Sequence, residues 1–242
     1  MIDNNTIQSL WVGPRLSSME ILCINSYLAN GHDFHLYAYN DILNVPKGTT
    51  MKDANEIIPE KEMFVDCFGG YVHLSNQFRF TMLYKLGGWW VDMDTICLKP
   101  FDFDDDFVFS SEFIHPRKRL NNTYMKSQPG ARYLKDCLEF ISVRGHEHIH
   151  WGEIGITLLS RMVFRNRMDQ YIQQPDCFCP VPFYRIDQLI RDSTSVLNET
   201  TYALHLWHNM WKTLRIDKDA RFPENSLYEI LKSKYNRSEK LI

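Results

Sequence analysis

Residues 86–98, "LGGWWVDMDTICL", set two carboxylates, Asp92 and Asp94, one residue apart inside a run of large apolar side chains. Burying a carboxylate without a partner costs several kcal/mol. Any fold that accepts this run must hide its aromatics and still satisfy both acids. On a strand, side chains two apart share a face, so Asp92 and Asp94 are expected to project together at the strand's end, with Met93 turned into the core. Carboxylates that close repel unless a cation lies between them or one takes a proton. A hard divalent ion, Mn²⁺ or Mg²⁺, is the natural partner for such oxygens. An isolated Asp-x-Asp at a strand–turn boundary also serves simply to cap a turn.

The surrounding pattern is α/β throughout. Residues 6–13 read as a first strand, and Ser17 with Glu20 forms a capping-box signature for a helix that stops near Gly31. "DFHLYAYN" reads as a second strand, so the chain opens β-α-β and favours a parallel sheet. Leu74, Phe78, Met82 and Leu86 recur every four residues, predicting a helix over 72–86 that ends at Gly87-Gly88. "WWVDMDTICL" follows as a mainly buried strand, with further strands expected near 107–112 and 201–207 and helices at 131–143, 154–167 and 225–235. Neither a Gly-x-Gly-x-x-Gly turn nor a Walker loop occurs, so the usual phosphate cradles are missing from the sequence.

Of 242 residues, 44% are hydrophobic, enough for a sizeable core in one domain: a nucleotide-binding half (1–100) and an acceptor-binding half (101–242). A net charge of −3 argues against nucleic acid as a partner. The first 30 residues show no basic-then-apolar leader, and no apolar window is long enough to span a bilayer, so a cytoplasmic protein is expected. The six cysteines (23, 67, 97, 137, 177, 179) lack disulfide or zinc spacing and read as reduced, packed thiols. Asn-x-Ser/Thr triplets at Asn121 and Asn198 carry little weight without a leader. The acidic run at 102–106 reads as a solvated loop rather than a metal cluster, and the basic tail 231–241 as a solvated last helix or a peripheral contact with an anionic membrane.

Five ordered blocks carry a resemblance. "SNQFRFTMLYKLGGWWVDMDTICLKPF" resembles the core motif of the DXD sugar-binding glycosyltransferase superfamily, in which a helix with Ser-(Asp)-x-x-Arg precedes Leu-Tyr, Gly-Gly, an aromatic and Asp-x-Asp. Ser75, Asn76, Arg79, Leu83-Tyr84, Gly87-Gly88, Trp90, Asp92 and Asp94 occupy those places in order. That superfamily includes α-galactosyl- and N-acetylglucosaminyltransferases, yeast-type α-mannosyltransferases, bacterial capsule enzymes and glucosylating clostridial toxins. "LWVGPRLSSMEILCINSYLANGHDFHLYAY" is similar to its first βαβ, "WGEIGITLLSRMVF" to its Trp-Gly-x-x-Gly-Pro segment, "CPVPFYRIDQ" to its Phe-Tyr-Pro-Ile element and "TYALHLWHNMW" to its late His-x-Trp strand. Three positions depart from the pattern: Asn76 replaces Asp, Ile156 replaces Pro, and Arg185 replaces Pro.

The resemblance implies a GT-A fold, a Rossmann-like nucleotide-diphospho-sugar transferase with a mostly parallel sheet and a helical acceptor-side portion. It implies that Asp94 ligates the metal while Asp92 supports it and touches the donor. The donor would also meet Leu10, Trp11, Val12, Ser75, Asn76, Arg79, Trp90 and Trp207, with Trp11 stacking on the base. His205 and His208 compete to complete the metal shell, against a purely structural role for either. Glu153 stands as an acceptor-side catalytic residue that orients the acceptor or supports the cationic transition state or, alternatively, as a cap for the helix near Ile154.

The function so implied is a metal-dependent retaining transfer of a hexose or N-acetylhexosamine, from a donor that is UDP-linked in the first instance. The product is an α linkage on a glycan or lipid-linked glycan, such as a capsule or lipopolysaccharide precursor. Two alternatives stand beside it. A haloacid-dehalogenase-type phosphatase also uses Asp-x-Asp, but on its first strand, and would hydrolyse a phosphoester without any sugar donor. A nucleotide-sugar-binding domain without transfer is allowed by Asn76 and would bind a donor without turnover.

Overall fold

The computed structural model describes residues 4–66, 69–191 and 196–236, so Cys67 and the end of the basic tail (237–241) lie outside the described residues. β1 (Thr6–Leu10), α1 (Ser18–Ala29) and β2 (Asp33–Ala38) form the opening β-α-β, and α1 starts at the Ser17/Glu20 capping box with both reciprocal bonds made. β3 (Thr50–Asp53) adds a short parallel edge strand that follows the Pro/Gly loop. α2 (Val72–Leu86) ends at Gly87, where φ is 68° and a Cβ would meet Pro129 Cδ at 2.6 Å, so both geometry and space require glycine.

β4 (Gly88–Val91) then pairs parallel with β1, and the run expected as one strand breaks: Asp92, Met93 and Asp94 form a turn before β5 (Thr95–Cys97). Beyond the break, Asp94 meets His205, which lies outside the central sheet. β6 (Val108–Ile114) and β7 (Arg117–Ser127) make an antiparallel hairpin, and β7 pairs antiparallel with β4. The central order is β3-β2-β1-β4-β7-β6, three parallel pairings and two antiparallel. The 101–242 half is therefore less helical than expected. β7 hides from sequence pattern because polar Asn121, Thr123, Lys126 and Ser127 are buried along it while its charged start is exposed.

α3 (Arg132–Arg144), α4 (Ile156–Arg165), α5 (Pro175–Phe178), α6 (Asp187–Ile190), β8 (Ala203–His205), α7 (His208–Thr213) and α8 (Leu227–Tyr235) follow. Two apolar layers cover the sheet, and strand alternation divides residues between them. Ile7, Phe34, Trp89 and Tyr124 pack in one with α1, α5 and α8, whereas Tyr37, Trp90 and Met125 pack in the other with α2, α3 and α4. Both faces covered explains why "WWV" carries no polar alternation. β8 pairs antiparallel with β5 in a separate two-stranded sheet, setting His205 opposite Thr95.

Strand order reverses around β1, whose parallel neighbours are β2 and β4. Open α/β sheets bind ligands in the crevice beyond the carboxyl ends at such a point. Trp11 follows β1 there, and Asp92 follows β4.

Candidate active site

Asp92, Asp94 and His205 bring one ligand atom each within 4.8 Å of one another. Asp94 Oδ2 lies 3.2 Å from His205 Nε2 and accepts from the His208 backbone N–H at 2.8 Å. The β5–β8 pairing delivers the histidine, 111 residues away in sequence, and a Leu206 N–H to Asp94 carbonyl bond at 2.8 Å locks that register. His205 in turn packs against the Trp207 ring, tilted by 36°, with ring centres 3.8 Å apart.

Asp92 is held from the opposite side. Arg79 Nη2 lies 2.9 Å from its Oδ1, and Trp90 Nε1 donates to the same oxygen at 2.9 Å. Arg79 sits 4.9 Å over the Trp90 ring and donates to Ser75 Oγ at 3.0 Å and to the Asn122 carbonyl at 2.5 Å. The four-residue spacing of Ser75 and Arg79 on α2 allows this fork to close. Asn122 Nδ2 donates to Asn76 Oδ1 at 2.8 Å, so Asn76 is tied into the same network.

The two acids differ electrostatically. Burial pushes Asp92 up from the ordinary carboxylate range, with Asp94 adding to the rise and Arg79 opposing it. Burial acts on Asp94 the same way but is outweighed by the charge and hydrogen bond of His205 and the His208 N–H, holding Asp94 well below that range. His205 is raised above its usual value because Asp94 outweighs burial. At neutral pH this arrangement favours an ionised Asp94 paired with His205.

His208 contributes its backbone to Asp94, but its ring faces Lys218, with Nδ1 3.4 Å from Nζ. Burial, then Lys218, lowers its pKa. Of the two competing histidines, the structure brings the His205 ring into the cluster and not the His208 ring.

The remaining predicted residues divide. Trp11 is half-buried at the end of β1, its backbone N–H bonded to Tyr37 O and its Nε1 without a partner among the described residues. Leu10 is buried in the core and Val12 is half-buried beside it. Trp90 is 1% exposed, so it offers a ligand no surface and acts through Asp92. Trp207 is also buried, its Nε1 donating to Val181 O at 2.7 Å and its ring supporting His205.

Glu153 does not cap α4, whose N-cap is Gly155 with no side-chain bond. Its carboxylate takes Arg144 Nε at 2.6 Å and the His150 N–H at 2.8 Å, clasping the 144–153 loop. That loop reaches the donor side where Gly155 abuts Asn76. The 102–106 run leaves Asp102, Asp104 and Asp105 exposed and yields no ligand cluster among the described residues. Cys23, Cys97, Cys137, Cys177 and Cys179 are buried free thiols, as expected. Asn121 is buried with Oδ1 accepting from Thr123 N.

Sequence reasoning passed over Asn122 and Thr123, which join the network only because β7 lies beside β4. The Asp92 N–H donates to Thr123 O at 3.1 Å. A second omission is Glu112, buried on β6 and paired with Arg119 at 2.6 Å, whose charge reaches His205.

Residues 17–114 match the model of the glycosyltransferase sugar-binding region containing the DXD motif. Lactosylceramide 4-alpha-galactosyltransferase of Mus musculus is 26% identical over 152 residues, covering 56% of this chain and 40% of that protein. The chain thus spans well under half the length of this curated relative. The PaToxG glycosyltransferase structure aligns at a TM-score of 0.51 and 15% identity, covering 67% of this chain and 69% of that one, a likeness of fold. These matches support the DXD glycosyltransferase superfamily and a GT-A-like fold, with Asp92 and Asp94 inside the matched region.

Proposed function

We propose that the chain is a metal-dependent retaining glycosyltransferase that moves a hexose or N-acetylhexosamine from a nucleotide sugar, UDP-linked in the first instance, to a glycan acceptor. The observation that carries this reading is the Asp92–Asp94–His205 cluster at the sheet's switch point, its two acids within the residues that match the sugar-binding region. The mouse relative is named a 4-alpha-galactosyltransferase, which supports a hexose and an α linkage. A capsule or lipopolysaccharide precursor remains the acceptor class we put forward. The described residues contain no helix long and apolar enough to cross a membrane, which leaves a peripheral approach to a lipid-linked acceptor open. We take the chain to work as one domain.

Two carboxylates and one imidazole make a donor set that fits a divalent ion, and the nitrogen favours Mn²⁺ over Mg²⁺. Asp94, Asp92 and His205 would hold it. When bound, such an ion acts as a Lewis acid toward the leaving diphosphate. The rest is the chain's own work. Trp11 offers a face to the base. Arg79 and Trp90 keep Asp92 oriented toward the cleft. Asn76, buried and fixed by Asn122, sets an amide rather than a carboxylate behind the donor site, which bears on sugar choice. The Glu153–Arg144 clasp shapes the acceptor loop.

The phosphatase alternative loses ground because the acids follow β4 rather than the first strand. Binding without transfer is separated from catalysis by turnover. The test is thermal-shift or calorimetric binding of UDP-glucose, UDP-galactose, UDP-N-acetylglucosamine and GDP-mannose, with and without Mn²⁺, on wild type and Asp94→Ala. Metal-dependent stabilisation by one donor, lost in Asp94→Ala, is the expected result. No nucleotide response in any condition would overturn the proposal.

A further inference from the structure

Lys218 stands where the N-terminal and C-terminal parts of the chain meet. Its Nζ is 2.6 Å from Glu20 Oε1, 3.4 Å from His208 Nδ1 and 5.9 Å from the centre of the Trp11 ring. An ammonium only donates, so His208 accepts through Nδ1 and carries its own proton on Nε2. The His208 backbone then reaches Asp94 at 2.8 Å. Trp11, Lys218, His208 and Asp94 thus form one continuous line of contacts.

The main chain around Lys218 is pinned. Its carbonyl accepts from Ser18 Oγ and from Tyr228 Oη, both at 2.9 Å, and Asp219 Oδ1 takes the Ser18 N–H at 2.8 Å. The Lys218 side chain is 19% exposed and its ammonium is held by one carboxylate. Glu20 keeps a second bond through Oε2, which accepts the Ser17 N–H at 2.7 Å, so it remains satisfied if the lysine leaves. Arg79, by contrast, is committed to Asp92, Ser75 and Asn122.

We propose that Lys218 is the cation that receives the diphosphate of the nucleotide, exchanging Glu20 for phosphate oxygens when the nucleotide binds. The inference rests on the donor reading above, because a base on Trp11 and a metal-bound phosphate at Asp94 leave the diphosphate along the line that Lys218 occupies. A diphosphate carries more charge than one carboxylate and competes successfully for a flexible ammonium.

The test is calorimetric binding of UDP and of uridine, with Mn²⁺ and with chelator, to wild type, Lys218→Met and Glu20→Gln, each checked for its melting transition. Lys218→Met is expected to weaken UDP about tenfold or more, with metal and without it, while uridine binding stays unchanged. Glu20→Gln keeps the capping box and frees the lysine, so UDP should bind more tightly. Unchanged UDP affinity in Lys218→Met, equal losses for UDP and uridine, or weaker UDP binding in Glu20→Gln would each overturn the inference while leaving the donor reading intact. Failure of wild type to bind UDP at all would instead sink both.

Discussion

Asn76 and Gly155 approach so closely that a Cβ on Gly155 would lie 2.5 Å from Asn76 Nδ2 and 2.9 Å from its Cγ. Helix α2, which carries the donor-side residues, touches the loop before α4 through this contact. Gly155→Ala should push Asn76 off Asn122 and destabilise the fold by about 1–3 kcal/mol through overpacking. Urea unfolding together with donor KM checks it. Unaltered stability and KM would show that the loop yields freely.

Arg79 is buried and pairs with Asp92 across 2.9 Å while spending further donors on Ser75 and Asn122. Removing one partner of a pair held this tightly leaves the other poorly compensated. Arg79→Met should therefore cost roughly 3 kcal/mol. Arg79→Lys recovers little, since a single ammonium lacks the planar fork that spans Asp92, Ser75 and Asn122 together. Chemical denaturation of both variants decides this, and a full rescue by lysine would count against the fork.

Metal-free protein should show a pH-dependent contribution from Asp94 and His205. His205 is raised above its ordinary value of 6.5, so its contribution is complete below that pH and fades as pH climbs through the higher folded value. Asp94 is depressed below 3.8, so its contribution is present above 3.8 and is lost as pH falls toward the lower folded value. The pair thus stabilises most between those limits. Melting curves in chelator should fall as pH rises above about 6.5, a slope that His205→Asn removes. A wild-type profile with no such slope would contradict the pairing.

Glu153 and Arg144 are partly exposed, so their bond should contribute only about 1 kcal/mol or less. The Arg144 hydrogen bond, with the His150 N–H, outweighs a smaller opposing effect of burial and keeps the Glu153 carboxyl below the ordinary range. Glu153→Gln is expected to loosen the loop and raise acceptor KM severalfold while kcat stays within about tenfold of wild type. A kcat loss of about 1,000-fold would instead assign Glu153 to the reacting centre.

Much of the site was legible from local pattern. The period of α2, its glycine stop and the buried β4 place Arg79 and Asp92 within reach, because helix and strand periodicities are local and the turn between them is short. The capping box at Ser17 and Glu20 was readable for the same reason. The choice of His205 over His208 was not, since it depends on β8 pairing with β5 across 111 residues. Nor was the role of Asn122, because β7 buries polar side chains against β4 and so lacks the alternation that would announce a strand.

By itself, then, the amino-acid order determined the α/β layering, the paired acids and their need for a positive partner, all of which follow from short-range geometry and the cost of desolvating charge. Tertiary structure decided which groups answer that need. Arg79 and Trp90 take Asp92, while His205 and the His208 backbone take Asp94. Those pairings are long-range, set by sheet order and strand register rather than by any neighbour in sequence.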